Sequence, residues 1–232
     1  MALILNIETA TPVLSLALSQ DGKVLEAREN DTQNSHAEQI TVLIEEMMKS
    51  AGKSFDDLHA VAASKGPGSY TGLRIGVSTA KGICYAKNIP LIAISTLQSM
   101  ALGMSMNSDA GENTVFCPMI DARRMEVYDA VYDKDNKVIR DVEPTIVDEK
   151  TYQKLLEKNK VIFGGNGAAK CKEVISSENA IFMDDFHPSA RFMAPLSEKA
   201  FQNNQFEDVA YFEPFYPKAY IAGKPKVKGL YS

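Results

Sequence analysis

The sequence predicts an α/β protein of two related lobes, and three observations lead to this prediction. The 232 residues are 45% apolar and 24% charged, a composition typical of a folded globular protein. At about 150 residues per domain, this length corresponds to one or two domains. Both halves also show one order of elements: strand, turn, strand, turn, strand, helix, strand, Gly-rich loop, helix. We therefore expect a first lobe over residues 1–106 and a smaller second lobe over residues 107–232.

The first lobe begins with an antiparallel meander. Residues 2–8 form an apolar run typical of a buried strand, and residues 13–19 alternate between leucine and smaller side chains. Asp21 and Gly22 then form a two-residue hairpin signal, after which residues 23–28 return as a third strand.

A helix follows the meander. Ser35 and Glu38 have the spacing of a capping box, and Gly52 marks the end of the helix. Between them, the apolar residues recur at the spacing of an amphipathic helix. These residues are Ile40, Leu43, Ile44, Met47, Met48 and Ala51.

The most specific string in the sequence is GPGSYTGLRIG, which begins at Gly66. It joins a short strand over residues 60–64 to a second helix over residues 73–87. It is not a phosphate-binding Walker A loop, because no Gly-Lys-Ser/Thr follows at the required spacing. Gly66 and Gly68 are explained by a tight turn from strand to helix.

Small residues form a stripe along this second helix, since Gly72, Gly76, Ala80 and Cys84 recur every four residues. Such a stripe allows another helix to approach closely. Gly76 inside a helix costs about 1 kcal/mol relative to alanine, and close packing can offset this cost. The packing partner is either internal, for example the first helix of the same chain, or another chain.

The remaining elements repeat the same order. A strand over 91–94 and a helix over 97–104, capped by Ser95 or Thr96, complete the first lobe, and the polar segment 107–113 connects the lobes. A C-terminal helix near 196–204 can pack back on the first lobe. The second lobe is expected to contain strands over 115–120, 126–132, 137–140 and 160–163, helices over 150–158 and 168–175, and a Gly-rich loop over 164–167.

This order is that of the actin-like, sugar-kinase-like and Hsp70-like (ASKHA) architecture, in which each lobe is a mixed sheet with flanking helices. In proteins of this architecture, the first hairpin of each lobe can hold phosphates, and the acid at the start of the hairpin can hold a metal–nucleotide complex. Glu8 and Asp121 occupy these positions in this chain. Two interpretations stay open: these acids are turn residues, or they form a residual nucleotide site together with Thr9.

Net charge, cysteine pattern and the lack of long apolar runs argue against several classes of protein. The net charge of -5 argues against a large nucleic-acid footprint on this chain alone, but not against an acidic subunit of a complex that binds nucleic acid. Cys84, Cys117 and Cys171 form no metal or disulfide pattern, which is typical of a reducing cytosol. The sequence begins without a signal-peptide pattern and contains no run of about 18 apolar residues, so we expect a cytoplasmic protein without a membrane span.

Four strings resemble the TsaB family, also called YeaZ: ILNIET, SHAEQITVLI, GPGSYTGLRIGVSTAKG and IDARRMEVYDAVY. The resemblance runs from Leu3 to Tyr132, and more weakly through Gly164–Gly167 and PFYPKAY near the end. It implies a non-catalytic scaffold or activator that binds a TsaD-type catalytic subunit, with a TsaE-type ATPase in the complex. That complex places a threonylcarbamoyl group on the adenosine next to the tRNA anticodon (t6A).

The same resemblance implies that the chain contacts tRNA only indirectly and pairs with itself when alone. It implies no cofactor for this chain, with nucleotide possible only at a joint interface. TsaD-like sequences carry a His-x-x-x-His metal pair, and the comparable positions here are Thr96 and Met100, which are not metal ligands. His36, His59 and His187 are isolated, so a metallopeptidase is disfavoured.

The predicted partner surface combines the first two helices, placed side by side to form a four-helix bundle with the partner. Apolar side chains would supply contact area, and Gly76 and Ala80 the close approach, so that Ala80→Phe would weaken binding in a folded chain. The opposing interpretation is that the apolar stripe packs on the lobe's own sheet. The alternative function is a free-standing ATP-dependent phosphotransferase of the same fold. The predicted contact residues are Ile40, Leu43, Met47, Gly72, Leu73, Arg74, Gly76, Val77 and Ala80.

Overall fold

A computed structural model describes residues 2–31 and 36–218 of the chain. The predicted cap Ser35 and the last two residues of the string PFYPKAY lie outside these ranges. Within them, two five-stranded sheets with flanking helices form the ASKHA architecture expected from the sequence.

The first sheet has the strand order β3-β2-β1-β4-β5. β1, β2 and β3 form an antiparallel meander, whereas β4 and β5 continue parallel to β1. Asp21 and Gly22 form the predicted hairpin turn, with φ angles of 52° and 74° that match a type I′ turn. The strands are β1 (Leu3–Glu8), β2 (Leu14–Gln20), β3 (Lys23–Asn30), β4 (Ala60–Gly66) and β5 (Leu91–Ser95).

The second sheet repeats this plan, with the order β10-β9-β6-β7-β8. β6, β7 and β8 form the antiparallel meander, and β9 and β10 continue in parallel. Each strand takes the place of its counterpart five strands earlier, which confirms the repeated order. The strands are β6 (Thr114–Asp121), β7 (Glu126–Tyr132), β8 (Val138–Ile146), β9 (Lys160–Gly164) and β10 (Ala180–Met183).

Helices cover both faces of the first sheet. α1 (His36–Ser50) and α2 (Tyr70–Lys87) bury their apolar sides on one face, in a core that includes Ile40, Met47 and Ala80. α5 (Ala190–Gln202) packs on the opposite face, as expected of the C-terminal helix. It begins six residues earlier than predicted, because the Ser189 hydroxyl caps its first turn and Pro195 is accommodated inside the helix.

α3 (Thr96–Met106) begins at the predicted Ser95 cap, but its apolar side faces the second lobe. Leu97, Met100 and Met104 are buried against Phe116 and Ile120 of the second sheet. The core of the second sheet therefore includes a helix that precedes residue 107.

The second lobe has less helix than predicted. The helix expected over 150–158 is a single turn, α4 (Gln153–Leu156), and that expected over 168–175 is reduced to a 3-10 turn over Ala169–Cys171. Each segment buries only a few apolar side chains on the sheet, and short helices need such packing to be stable. Strand β10 was not predicted. No helix within the described ranges is long and apolar enough to cross a membrane.

Candidate protein interaction surface

The predicted stripe of small residues on α2 packs inside the chain. A side-chain carbon at Gly72 would lie 2.2 Å from the carbonyl oxygen of Thr9, and one at Gly76 would lie 2.2 Å from the Thr9 hydroxyl oxygen. Ala80 and Cys84 continue the stripe into the core. The stripe therefore lets α2 lie directly on the turn between β1 and β2. The packing partner is internal, but at Gly72 and Gly76 it is this turn and not the first helix.

Most residues of the predicted contact set are consequently buried. Leu43 is partly buried against the core, and Arg74 is exposed, with its guanidinium 4.3 Å from the ring centre of Tyr70. The others are unavailable to a partner, because a helix that covers a sheet uses its apolar face for that contact. The buried members are Ile40, Met47, Gly72, Leu73, Gly76, Val77 and Ala80.

This burial corrects the expectation for Ala80→Phe. Ala80 is fully buried between α2 and the first sheet, so phenylalanine there would overpack the core and disturb the fold. A partner surface on these helices has to be tested at exposed positions.

α2 carries a second stripe of small residues, and this one faces outward. Ser78, Gly82 and Ala86 also recur every four residues, and all three are exposed. A side-chain carbon at Gly82 would meet no atom of the described residues within 4 Å. Since a glycine inside a helix costs about 1 kcal/mol relative to alanine, and no contact in the described chain requires it, Gly82 leaves room for something outside the chain.

The outward stripe borders a groove between α1 and α2. The groove has a volume of about 310 Å³, and its floor is apolar because Ile44 and Ile83 lie partly or fully within the core. Val42 and Tyr85 are exposed large apolar side chains on the same two helices. The residues lining the groove include Thr41, Ile44, Glu45, Ser78, Gly82 and Ile83.

The first hairpin of the first lobe, which can hold phosphates in this architecture, is closed in this chain. Glu8 and Thr9 are completely buried. The amide of Ser69 donates to the carbonyl oxygen of Ala10 at 2.7 Å, and a side-chain carbon at Gly68 would lie 2.5 Å from the Ala10 methyl group. The Gly-rich loop therefore fills the turn that could hold phosphates in other ASKHA proteins.

Burial also changes the chemistry of Glu8. Removal from water raises the pKa of its carboxyl group to about 7, against the opposing effect of hydrogen bonds from Ala10, Ser64 and Thr9. One carboxyl oxygen accepts from the Ala10 amide at 2.7 Å, and the other has no hydrogen-bond partner. Glu8 is thus largely protonated below neutral pH.

Comparisons with known proteins agree with these features. The sequence model described as "TsaD: tRNA N6-adenosine threonylcarbamoyltransferase" matches residues 30–221. The chain is 29% identical to the "tRNA threonylcarbamoyladenosine biosynthesis protein TsaB" of Bacillus subtilis over 175 residues, 74% of each chain. It is 30% identical to the protein of that description from Escherichia coli over 227 residues, 95% of this chain and 96% of that protein. The chain belongs to the TsaB family.

A solved structure shares the fold of this TsaB-family chain. It is described as an uncharacterized protein with similarity to peptidase YEAZ from Pseudomonas aeruginosa. The TM-score is 0.79 at 21% sequence identity, and the match covers 94% of this chain and 100% of that chain.

The acid of the second lobe differs from Glu8 in this TsaB-family chain. Asp121 is exposed at the end of β6, where it forms an ion pair with Lys170 and accepts from the Arg123 amide at 3.1 Å. Its own amide donates to the side-chain oxygen of Asn166 at 3.0 Å. These contacts are those of a turn acid, and the nucleotide role of Glu8, Thr9 and Asp121 stays a prediction that their surroundings do not favour.

The positions comparable to the metal pair of TsaD-like sequences lie on α3. Thr96 and Met100 are both completely buried, and the Thr96 hydroxyl has no hydrogen-bond partner. Across residues 2–31 and 36–218, no group of three or more His, Cys, Asp and Glu residues is placed to hold a metal ion.

Proposed function

We propose that this TsaB-family chain is a non-catalytic subunit that binds and supports a TsaD-type catalytic subunit in the threonylcarbamoylation of tRNA. The observation that carries the proposal is the open groove between α1 and α2, with Gly82 exposed beside it. A TsaE-type ATPase belongs to the proposed complex, and tRNA reaches this chain only through the assembly.

The surface fits a pair of helices from a partner. Two helices that lie on α1 and α2 would complete a four-helix bundle, with packing like that of a coiled coil. The small outward side chains of Ser78, Gly82 and Ala86 allow a close approach, and Val42 and Tyr85 supply apolar contact area. The proposed interface therefore lies on the two helices that the sequence predicts. Its contacts on α2 lie on the side opposite to Gly76 and Ala80.

The closed hairpin supports the non-catalytic part of the proposal. A phosphotransferase of this fold needs an accessible first hairpin that holds phosphates, whereas here the Gly-rich loop and Ala10 fill it. A carboxyl group with a pKa of about 7 and no access to solvent, as at Glu8, is poorly suited to hold a metal–nucleotide complex. The pairing of two copies in the absence of a partner stays a prediction.

Reconstituted threonylcarbamoyl transfer to tRNA tests this function. We expect the purified chain to hydrolyse no ATP alone, and to stimulate transfer when added to the TsaD-type subunit and the other components. Gly82→Phe should reduce this stimulation, because the new ring fills the space where the partner helix lies.

Gly111→Phe is the matched control. Among residues 2–31 and 36–218, only the Thr114 hydroxyl lies within 4 Å of a side-chain carbon at Gly111, at 3.9 Å. This glycine therefore also has room for a ring, but it lies between the two lobes. Robust ATP turnover by the chain alone would contradict the proposal and favour the phosphotransferase. Full stimulation by folded Gly82→Phe would place the interface elsewhere.

A further inference from the structure

We propose that residues 212–218, which we call the C-terminal strap, latch the Gly-rich loop closed over the first hairpin, and that release of this strap opens the hairpin to solvent. The first hairpin is the turn between β1 and β2, and the Gly-rich loop comprises residues 66–70, which join β4 to α2. The inference goes beyond the proposed function and does not depend on it.

The closed hairpin contains buried polar atoms that favour its opening. Among the described residues, one carboxyl oxygen of Glu8 and the Thr9 hydroxyl oxygen have no hydrogen-bond partner, although both side chains are buried. Leaving such atoms unpaired away from water costs free energy, which contact with solvent would recover. The loop makes a backbone hydrogen bond to the hairpin, from the Ser69 amide to the Ala10 carbonyl oxygen. Further contacts on the loop therefore decide how firmly the hairpin is closed.

The C-terminal strap holds the Gly-rich loop at both of its ends. At the first end, the Phe215 amide donates to the carbonyl oxygen of Lys65 at 2.7 Å. The two backbones lie so close there that a side-chain carbon at Gly66 would be 2.6 Å from the Phe215 carbonyl oxygen. At the second end, the ring centre of Tyr216 lies 5.0 Å from that of Tyr70, and the Tyr216 hydroxyl donates to the Tyr70 carbonyl oxygen at 3.5 Å. The middle of the loop, which closes the hairpin, is therefore held between two fixed points.

The strap itself is anchored on both lobes. Before it reaches the loop, the Lys81 ammonium group of α2 donates to the carbonyl oxygen of Phe212 at 3.1 Å, and Phe212 packs against the core of the first lobe. Beyond the loop, Lys218 forms an ion pair with Glu126 at the start of β7. The strap thus crosses from the first lobe to the second over the Gly-rich loop. A change in the relative position of the lobes would therefore act directly on the latch.

Hydrogen exchange of the Ser69 amide in the full-length chain tests the latch, because this amide is hydrogen-bonded to the hairpin only while the loop is closed. Phe215→Pro removes the amide that donates to the first end of the loop, and Tyr216→Ala removes the ring that contacts the second end. Together they should raise the exchange rate of the Ser69 amide about tenfold or more, because a hydrogen bond and an aromatic contact are lost. Lys218→Ala should raise it by no more than about fivefold, since partly exposed ion pairs contribute little.

Two controls distinguish the latch from a general loss of stability. Tyr211→Ala changes an aromatic residue that immediately precedes the strap and is 84% exposed, so its Ser69 amide should exchange like that of the parent. The Val61 amide donates to the carbonyl oxygen of Pro90 within the first sheet, and it reports on opening of the lobe as a whole. Its exchange rate should be the same in the parent and in the variants of the strap.

The outcomes decide the inference without a partner protein, so the proposed function is tested separately. An unchanged Ser69 rate in the variant that combines Phe215→Pro with Tyr216→Ala would overturn the latch. Equal acceleration at Val61, or in Tyr211→Ala, would show that these residues stabilise the whole lobe, which also overturns it. A parent-like Ser69 rate in Lys218→Ala would contradict the anchoring of the latch on the second lobe.

Discussion

The two sides of α2 carry the same sequence pattern and have opposite uses. On the inner side, Gly72 and Gly76 leave the space that Thr9 occupies. As a result, α2 and the hairpin turn between β1 and β2 are in direct contact. On the outer side, Ser78 and Gly82 border the open groove between α1 and α2. Small residues four apart thus indicate close packing without identifying the partner. The inner stripe is explained by contacts within the chain, whereas the outer stripe is exposed, and we propose that it contacts a partner.

The largest expected difference between the two sides of α2 is in how much a phenylalanine lowers the stability of the chain. Ala80 on the inner side and Ala86 on the outer side allow this comparison. Ala80→Phe should lower the free energy of unfolding by about 3 kcal/mol, because Ala80 is fully enclosed by the core. Ala86→Phe should change it little, since Ala86 is exposed on the same helix. Urea unfolding followed by circular dichroism measures both. Equal losses at the two positions would mean that α2 is not oriented as described.

The closed inner side also predicts an unusual pH dependence. The pKa of Glu8 is raised to about 7 in the fold, from an ordinary value of 4.5. As pH rises, Glu8 therefore loses its carboxyl proton in the unfolded chain before it does so in the folded chain. The free energy of unfolding consequently falls as pH rises from about 4.5 to 7. Glu8→Gln removes the ionisation while keeping an oxygen that accepts from the Ala10 amide.

Unfolding of Glu8→Gln at two pH values tests this dependence. The variant should exceed the parent's stability by about 3 kcal/mol at pH 8, by conversion of the pKa shift, and match it near pH 4.5. A parent that is as stable as the variant at pH 8 would show that Glu8 is not sealed from water.

A smaller change in stability, of opposite sign at Gly76 and Gly82, distinguishes the inner stripe from the outer one. Gly76→Ala should destabilise the chain by about 2 kcal/mol, because the new methyl group overlaps the Thr9 side chain. Gly82→Ala should stabilise it by about 1 kcal/mol, because alanine favours the helix and the part of the chain that the structure describes has no atom within 4 Å of the new methyl group. Thermal unfolding of both variants measures the shift. The same sign at both positions would contradict the distinction between the sides.

Much of the fold could be predicted because local signals and global topology agree. The Asp21-Gly22 turn, the periodicity of α1 and the Ser95 cap each fix one element. The repeated order of elements predicts that the second sheet has the same topology as the first. The second lobe was harder, because α4 and the turn over Ala169–Cys171 depend on packing a few side chains against the sheet rather than on helical periodicity.

For the proposed interaction surface, the sequence indicates the two helices but not which side of α2 is exposed. Helical spacing groups Gly72 with Gly76 and Ser78 with Gly82 equally well, and which group turns inward depends on Thr9, a residue distant in sequence. Exposure, unlike periodicity, is a property of the folded chain.

We propose that the outer side of α2 binds the TsaD-type subunit. The most direct measurement is the dissociation constant of the purified complex for Gly82→Phe and for its control, Gly111→Phe, in full-length chains with unchanged circular dichroism. We predict that Gly82→Phe weakens binding roughly tenfold to a hundredfold, the equivalent of about 1–3 kcal/mol of overpacking, while Gly111→Phe binds like the parent. Equal, parent-like affinity of both variants would contradict the claim.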